Sequence, residues 1–188
     1  EKQLRIKFQQ ILLFQKKILI SKMDNTFIEK AKNIKAVATD IDGVWTNSGM
    51  YYTSSGEKMK CFSTYDGMGV QLLREIGIPT IILTSENSEI VLRRAEKLQI
   101  EKVYINEKEK LNKMIQICKD LNISMAEIAY IGDDLNDLEL LEEVGLSAMP
   151  PNSPILNLFS PDYLTEKSGG QGAFREFIDQ IIQAKNIN

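Results

Sequence analysis

Short apolar runs alternate with longer amphipathic stretches along the chain from residue 35 onward. Four of the apolar runs predict buried strands, at residues 36–39, 80–83, 103–105 and 128–131. Helical periodicity predicts helices at residues 69–76, 89–98 and 173–182. Strands that alternate with helices in this way indicate βαβ units, so we predict an α/β fold with a central, mostly parallel sheet.

The segment between the first two predicted strands has a different pattern. Residues 50–53 and 57–62 form two short arms, and Ser54-Ser55-Gly56 separates them. Two such arms joined by a glycine-containing turn predict a β-hairpin. Because this hairpin follows the first strand, we expect it to overhang the end of that strand as a flap.

The sequence suggests three parts of unequal size. Residues 1–32 include an amphipathic stretch at 4–20 whose uncharged core is too short for a signal peptide, so we expect an appended helix of unknown role. Residues 33–182 form one predicted domain, and residues 183–188 form a tail. No apolar run approaches the roughly 18 residues that span a bilayer, so we expect a soluble, cytoplasmic protein without a membrane partner.

Composition narrows the chemistry that is open to the chain. The formal net charge is −3 and the sequence pI is about 5.2, so we expect no nucleic-acid partner. The chain has no histidine, which removes the usual general base and the commonest zinc ligand. Cys61 and Cys118 lie far apart, and we expect reduced thiols without a role. Acid–base or metal chemistry must therefore use carboxylates.

Acidic residues follow two of the predicted strands. Asp40 and Asp42 end the first strand, and Asp133, Asp134 and Asp137 follow the strand at 128–131. The carboxyl ends of parallel strands meet at one edge of a sheet, so these groups are expected to converge. Crowding disfavours ionising both carboxylates unless a cation or a shared proton intervenes, and an oxygen-only donor set suits Mg²⁺.

Groups that complement these carboxylates occur elsewhere in the chain. Lys110 and Arg175 supply positive charge, and Thr84 supplies a hydroxyl group and nearby backbone N–H groups at a strand-to-helix turn. A nucleophile, a metal and such donors are the parts that phosphoryl transfer needs. Simpler alternatives remain open: an Asp-Gly surface turn after the first strand, a solvated face for Lys110, and helix caps for Asp134 and Asp137.

The order and spacing of these residues resemble the haloacid dehalogenase superfamily of phosphohydrolases. The four matching motifs are Asp40-Ile41-Asp42-Gly43-Val44, Leu83-Thr84-Ser85, Lys110, and Gly132-Asp133-Asp134-Leu135-Asn136-Asp137. From about residue 34 to 182 the chain resembles the capless branch typified by 3-deoxy-manno-octulosonate 8-phosphate phosphatase. Trp45-Thr46-Asn47, Tyr65-Asp66-Gly67 and the glycine-rich run ending at Glu176 carry that likeness.

The resemblance implies a Rossmann-like three-layer sandwich with a hairpin flap and no large cap domain. Asp40 would attack phosphorus and form an aspartyl phosphate, while Asp42 would act as general acid and then general base. The resemblance places Mg²⁺ on the Asp40 carboxylate, the Asp42 carbonyl and the Asp133 carboxylate. Thr84 and Lys110 would bind the phosphoryl oxygens.

The resemblance also implies supporting groups and an assembly. Asp137 would support Lys110 or the metal, with Asp134 beside it. Capless relatives are typically homotetramers in which a neighbouring subunit closes the site, so segment 169–175, with Arg175, is expected to reach a neighbour; a flexible loop is the alternative. Ser85 stands where the second motif usually has glycine, which affects the backbone approach to phosphate.

The segment after the second motif bears on the substrate, expected to be a phosphorylated sugar acid. Residues 85–97 resemble the nonulosonate 9-phosphate phosphatases, in which Glu86, Arg94 and Lys97 would contact the sugar acid together with Ser85. A nonulosonate 9-phosphate is therefore the first expected substrate, and 3-deoxy-manno-octulosonate 8-phosphate is the alternative. A solvated helix face is the simpler interpretation of the three charges.

Two alternatives come from other functional classes. A catalytically idle phosphatase-like module of a sialic-acid activating enzyme would have the same fold, but the intact carboxylates argue against it. A phospho-accepting receiver domain also uses acidic residues, a threonine and a lysine on a parallel sheet. Its motifs follow a different order, and it has no acidic cluster after the lysine.

Overall fold

A six-stranded parallel sheet organises the part of the chain that the structure, a computed structural model, describes: residues 24–187. The strands are β1 (Ala36–Thr39), β2 (Tyr51–Thr53), β3 (Gly56–Met59), β4 (Thr80–Leu83), β5 (Lys102–Tyr104), β6 (Ile128–Ile131), β7 (Leu146–Met149) and β8 (Tyr163–Leu164). The large sheet has the order β5-β4-β1-β6-β7-β8, and β2 and β3 form a separate antiparallel hairpin. The predicted α/β fold and its flap are therefore confirmed.

Helices cover both faces of the sheet. They are α1 (Asn25–Asn33), α2 (Thr64–Glu75), α3 (Glu89–Lys97), α4 (Lys110–Leu121), α5 (Leu138–Glu143) and α6 (Ala173–Lys185). Alternate residues of β1 enter two different cores, because successive side chains of a strand point to opposite faces. Val37 packs in the core that includes α1, α2, α3 and α6, whereas Ala38 packs in the core that includes α4 and α5. This arrangement is a three-layer sandwich.

Several boundaries differ from the sequence prediction. Helix α2 begins at Thr64 rather than at residue 69, because the Ser63 side chain accepts a hydrogen bond from the backbone N–H of Tyr65 and caps the helix. Strand β5 lies one residue earlier than predicted, and α6 continues three residues beyond 182. Strands β7 and β8 were not predicted, since Ser147 interrupts the first apolar run and the second has only two residues.

The amino-terminal boundary of the compact part also lies earlier than residue 33. Helix α1 buries Phe27 and Ala31 in the core shared with α6, and the Phe27 ring lies 5.5 Å from that of Tyr163. The predicted amphipathic helix at residues 4–20 lies outside the described residues. Within residues 24–187, no helix has both the length and the apolarity that a bilayer span requires.

Strand order determines which loops meet at the carboxyl edge of the sheet. Strand β1 lies between β4 and β6, and Thr39 is in register with Ile82 on one side and Ile131 on the other. After β1 the chain continues to β4 on one side, and after β6 it continues to β7 on the other. The edge between β1 and β6 is therefore the switch point at which open α/β sheets bind ligands. The residues following these three strands are Asp40, Thr84 and Gly132.

Candidate active site

Asp40 is held rigidly at the end of β1. Its backbone N–H donates to the carbonyl of Ile131 at 3.0 Å, and its carbonyl accepts from Thr39 Oγ1 at 2.7 Å. The indole N–H of the buried Trp45 donates to Thr39 Oγ1 at 3.0 Å. The chain therefore turns back on itself immediately after β1, and the Asp40 side chain is directed from a fixed backbone.

Two glycines make room for acidic side chains at this edge of the sheet. Gly43 has φ +88°, and a Cβ there would lie 1.8 Å from Asp133 Oδ2. A Cβ at Gly132 would lie 2.6 Å from the Cγ of Asp137. Both contacts are far too short for a side chain, so glycine is required at Gly43, where the first and fourth motifs pack together, and at Gly132, where the fourth motif folds against its own Asp137. The surface-turn alternative for the first motif does not fit this buried contact.

Both carboxylate oxygens of Asp137 accept hydrogen bonds from groups of the site. Oδ2 accepts from the backbone N–H groups of Asp133 and Asp134 at 2.8 and 3.2 Å. Oδ1 accepts from Tyr130 Oη and from Lys110 Nζ, both at 2.5 Å. Asp137 is fully buried, and both of its oxygens are engaged. It therefore fixes the loop after β6 and the lysine ammonium group.

Lys110 begins α4 and is buried, so the solvated-face alternative for it is wrong. Its Nζ lies 3.1 Å from Asp40 Oδ2 in addition to the contact with Asp137. Burial acts to lower the pKa of Lys110, but the carboxylates of Asp40 and Asp137 outweigh it and raise the pKa above its usual value. The site therefore contains a buried cation beside Asp40.

The remaining carboxylates carry more negative charge than Lys110 can offset. Burial and the nearby Asp137 raise the pKa of Asp40 to about 7. Burial, Asp40 and Asp137 raise the pKa of Asp133 to about 8. Asp40, Asp133 and Asp137 each offer one oxygen within 4.8 Å of the others, and Asp40 Oδ1 is buried without a hydrogen-bond partner in residues 24–187. Because the oxygens of Asp137 are engaged, Asp40 and Asp133 are the carboxylates suited to a small divalent cation.

A cavity of about 170 Å³ opens at this edge of the sheet. Its lining includes seven of the predicted site residues: Asp40, Asp42, Thr84, Ser85, Glu86, Asp133 and Asp134. Ser48 and Asn136 complete the lining and were not predicted as site residues. Asp134 also accepts from the backbone N–H of Leu135 at 2.7 Å, in agreement with its alternative role as a cap. The convergence of the acidic loops and Thr84 agrees with the sequence prediction.

Ser85, the departure from the usual glycine, bridges two loops. Its hydroxyl donates to the carbonyl of Glu107 at 3.2 Å and accepts from Asn136 Nδ2 at 2.9 Å. The side chain thus occupies the rim of the cavity without a clash. The sequence analysis missed two residues that contact the acidic side chains: Tyr130, which contacts Asp137, and Lys60, which contacts Asp42. For Tyr130, the available signal was a tyrosine in an otherwise aliphatic strand.

Of the predicted sugar-acid residues, Ser85 and Glu86 line the cavity, whereas Arg94 and Lys97 do not. Glu86 lies before the start of α3, so it shares no helical face with Arg94 and Lys97. Arg94 Nη2 donates to the carbonyl of Ser63 at 3.1 Å, and its guanidinium lies 5.6 Å from the centre of the Phe62 ring. Lys97 is exposed at the last position of α3. Contact of Arg94 and Lys97 with a sugar acid therefore remains a prediction.

The glycine-rich segment packs on the catalytic loop of its own chain. Gly170 donates its N–H to the carbonyl of Val44 at 3.0 Å, and a Cβ at Gly169 would lie 1.8 Å from the carbonyl oxygen of Gly43. Arg175 Nε donates to Asp179 Oδ1 at 2.8 Å, and Arg175 is not among the residues that line the cavity. The segment supports the first motif, and contact of Arg175 with a neighbouring subunit remains a prediction.

Comparisons with known proteins agree with this arrangement. A family model described as haloacid dehalogenase-like hydrolase matches residues 73–155. The 3-deoxy-D-manno-octulosonate 8-phosphate phosphatase of Haemophilus influenzae is 35% identical over 157 residues, which cover 84% of this chain and 87% of that protein. The similarity therefore extends over nearly the whole length of both proteins.

Solved structures are similar over the same region. A 3-deoxy-D-manno-octulosonate 8-phosphate phosphatase from Moraxella catarrhalis, in complex with magnesium, phosphate and the sugar KDO, has a TM-score of 0.83 and 38% identity, covering 86% of this chain and 93% of that one. A cobalt-bound phosphatase from Haemophilus influenzae has a TM-score of 0.80 and 35% identity, covering 83% of this chain and 91% of that one.

Sequence, fold and site geometry lead to the same assignment. The predicted Mg²⁺ cofactor is confirmed, since the buried carboxylates provide the hard oxygen ligands that this ion prefers and the similar structures contain divalent ions. The intact acidic loops and Lys110 match the phosphatase chemistry rather than an idle module or a receiver domain. The chain belongs to the haloacid dehalogenase-like hydrolases, as a phosphoric monoester hydrolase that resembles the 3-deoxy-D-manno-octulosonate 8-phosphate phosphatases.

Proposed function

We propose that this protein hydrolyses 3-deoxy-D-manno-octulosonate 8-phosphate, or a closely related eight-carbon sugar-acid phosphate, through an aspartyl-phosphate intermediate. The observation that carries the proposal is the shared length and sequence identity with phosphatases of that substrate. The buried carboxylates, which are suited to Mg²⁺, support it. The nonulosonate 9-phosphate expected first from the sequence has weaker support, because Glu86, Arg94 and Lys97 do not converge at the cavity.

The proposed metal site uses three oxygen donors. The carboxylates of Asp40 and Asp133 and the backbone carbonyl of Asp42 would hold Mg²⁺, which would offset the repulsion between the nucleophile and the anionic phosphate. Gly43 supports this assignment, because its missing side chain is what allows Asp133 to approach the loop after β1. Asp137 would act indirectly, by holding Lys110 and the backbone of Asp133.

The first chemical step transfers the phosphoryl group to Asp40 and a proton to the departing sugar oxygen. The Asp40 carboxylate attacks phosphorus, the bond to the sugar oxygen breaks, and that oxygen takes a proton from Asp42. Thr84 and Lys110 bind the phosphoryl oxygens; Lys110 lies 3.1 Å from Asp40 Oδ2, so its charge is already beside the nucleophile. Water then attacks the aspartyl phosphate as Asp42 accepts its proton, which releases phosphate and restores Asp40.

We also propose a cytoplasmic homotetramer, by analogy with capless relatives. The hairpin supports the assembly because it exposes Tyr51, Tyr52 and Met59, and an exposed apolar cluster is typical of an interface. Light scattering coupled to size-exclusion chromatography should give about four times the mass of one chain, and a monomeric mass with full activity would contradict this proposal.

The substrate proposal is tested by phosphate release in the presence of Mg²⁺. The eight-carbon 8-phosphate and an N-acylated nine-carbon 9-phosphate are compared by kcat/KM, with wild type, Asp40→Asn and the exposed control Asp120→Asn. We expect a higher kcat/KM on the eight-carbon substrate, and we expect only Asp40→Asn to abolish turnover. A preference for the nine-carbon substrate would refute the proposed substrate, whereas full activity of Asp40→Asn would refute the aspartyl-phosphate route.

A further inference from the structure

Lys60 connects the hairpin to Asp42. Its Nζ lies 2.6 Å from Asp42 Oδ1 and 2.9 Å from Glu57 Oε1, and its side chain is fully shielded from solvent. Glu57 Oε2 in turn accepts a hydrogen bond from Ser88 Oγ at 2.6 Å. Ser88 is buried at the start of α3. A continuous series of polar contacts therefore joins Asp42, the hairpin and the loop after β4.

The two carboxylate oxygens of Asp42 have different surroundings. Oδ1 accepts from Lys60 and also lies 3.3 Å from Thr46 Oγ1. Oδ2 is buried and has no hydrogen-bond partner within residues 24–187, and Asp42 lines the same cavity as Asp40. Anchoring one oxygen fixes the plane of the carboxylate, because a carboxylate group is rigid. The other oxygen then remains available for a group in the cavity.

The position of Lys60 is unusual for a hairpin that is otherwise exposed. Its neighbours Lys58 and Met59 are exposed, whereas the Lys60 side chain is directed inward. A shielded ammonium group is costly unless it is paired with carboxylates, and Asp42 and Glu57 supply that pairing. Lys60 thus makes the placement of Asp42 depend on the position of the hairpin.

We propose that Lys60 is a positioning residue, which holds the Asp42 carboxylate in the orientation for proton transfer to and from the reacting oxygen. The proposal rests on the proposed aspartyl-phosphate chemistry but not on the identity of the sugar acid. In the first step the electron pair of the breaking P–O bond goes to the sugar oxygen, which must receive a proton from Asp42. A nitrophenolate leaving group is stable without a proton, so it does not need that transfer.

The test compares leaving groups in variants of two lysines of the hairpin. Lys60→Met is assayed beside Lys60→Arg and the matched control Lys58→Met, on the sugar-acid phosphate that the wild type hydrolyses faster and on p-nitrophenyl phosphate. We expect Lys60→Met to lower kcat/KM on the sugar-acid phosphate by about 10–100-fold and on p-nitrophenyl phosphate by less than about threefold. Because breakdown of the aspartyl phosphate still needs Asp42, Lys60→Met should also show a burst of one nitrophenolate per active site.

The other variants separate positioning from simple structural loss. Lys60→Arg keeps a positive donor and should recover most of the activity on the sugar-acid phosphate, whereas Lys58→Met should behave as wild type. Equal losses of kcat/KM on both substrates, or a change confined to KM, would overturn the proposal. Lys60→Gln, which retains a donor, replaces Lys60→Met in this comparison if the latter does not fold. A wild-type preference for the nine-carbon substrate would refute only the proposed substrate, because the leaving-group comparison uses the better sugar acid.

Discussion

At the residue scale, Gly43 sets the distance between the first and fourth motifs. Its φ of +88° and the 1.8 Å separation between a built Cβ and Asp133 Oδ2 are two independent constraints, one on the backbone and one on space. Gly56 in the hairpin turn has a similar φ of +101°, but a Cβ there would meet nothing within 4 Å. A substitution at Gly56 therefore tests backbone strain alone, whereas one at Gly43 tests strain together with obstruction of the metal site.

We predict that Gly43→Ala displaces Asp133 and weakens the metal site. The concentration of Mg²⁺ that gives half-maximal activity should rise by more than about tenfold, as it does when groups that orient metal ligands are lost. Gly56→Ala, the matched control, should cost about 1 kcal/mol of stability and leave the Mg²⁺ requirement unchanged. Titration of activity with Mg²⁺ measures the effect, and identical Mg²⁺ requirements in both variants would contradict the role of Gly43.

At the scale of the elements, helix α1 is part of the core although the sequence analysis placed it outside the domain. Phe27 is buried against Tyr163 and the core shared with α6. On the same helix, Glu29 is exposed. Lys30 pairs with Asp162 at 2.5 Å, but both side chains are partly exposed, so this pair contributes little to stability. The apolar contact is therefore the main attachment of α1.

We predict that Phe27→Ala lowers the free energy of unfolding by about 3 kcal/mol, the cost of losing a buried aromatic side chain. Because Phe27 is not among the residues that line the catalytic cavity, kcat of the folded protein should stay within about twofold of wild type. Urea unfolding of Phe27→Ala and of the control Glu29→Ala measures the difference. Equal stability of the two variants would mean that α1 is not docked as described.

Elements with a strong local signal were predictable from the sequence. The strands β1, β4 and β6 are fully buried apolar runs, and the acidic groups directly after β1 and β6 identify the edge of the sheet at which they meet. Strand β8 has two residues and exists only through pairing with β7, so no local pattern could reveal it. The burial of Lys110 likewise depends on Tyr130 and Asp137, which are remote in sequence.

At the scale of the whole molecule, the fold concentrates negative charge at one end of the sheet. The register of β1 with β4 and β6 brings Asp40 and Asp133 together, and among the described residues only Lys110 offsets Asp40 directly through a buried ion pair. In the metal-free protein, burial and the negative charge of Asp137 raise the pKa of Asp40 to about 7. Burial and the negative charges of Asp40 and Asp137 raise the pKa of Asp133 to about 8. The ordinary value for both is 3.8.

These raised pKa values determine whether the stability of the metal-free protein rises or falls with pH. Between about pH 4 and pH 8 the folded metal-free protein binds more protons at Asp40 and Asp133 than the unfolded chain does, so its stability falls as the pH rises. Mg²⁺ competes with those protons and binds better as they leave, so the gain in Tm on adding Mg²⁺ should grow by about 5 °C from pH 5.5 to pH 8. Thermal unfolding with MgCl₂ or with NaCl at equal ionic strength measures this gain, and Asp133→Asn should remove most of it. A gain that is independent of pH in the wild type would mean that the acidic edge is not where the ion binds.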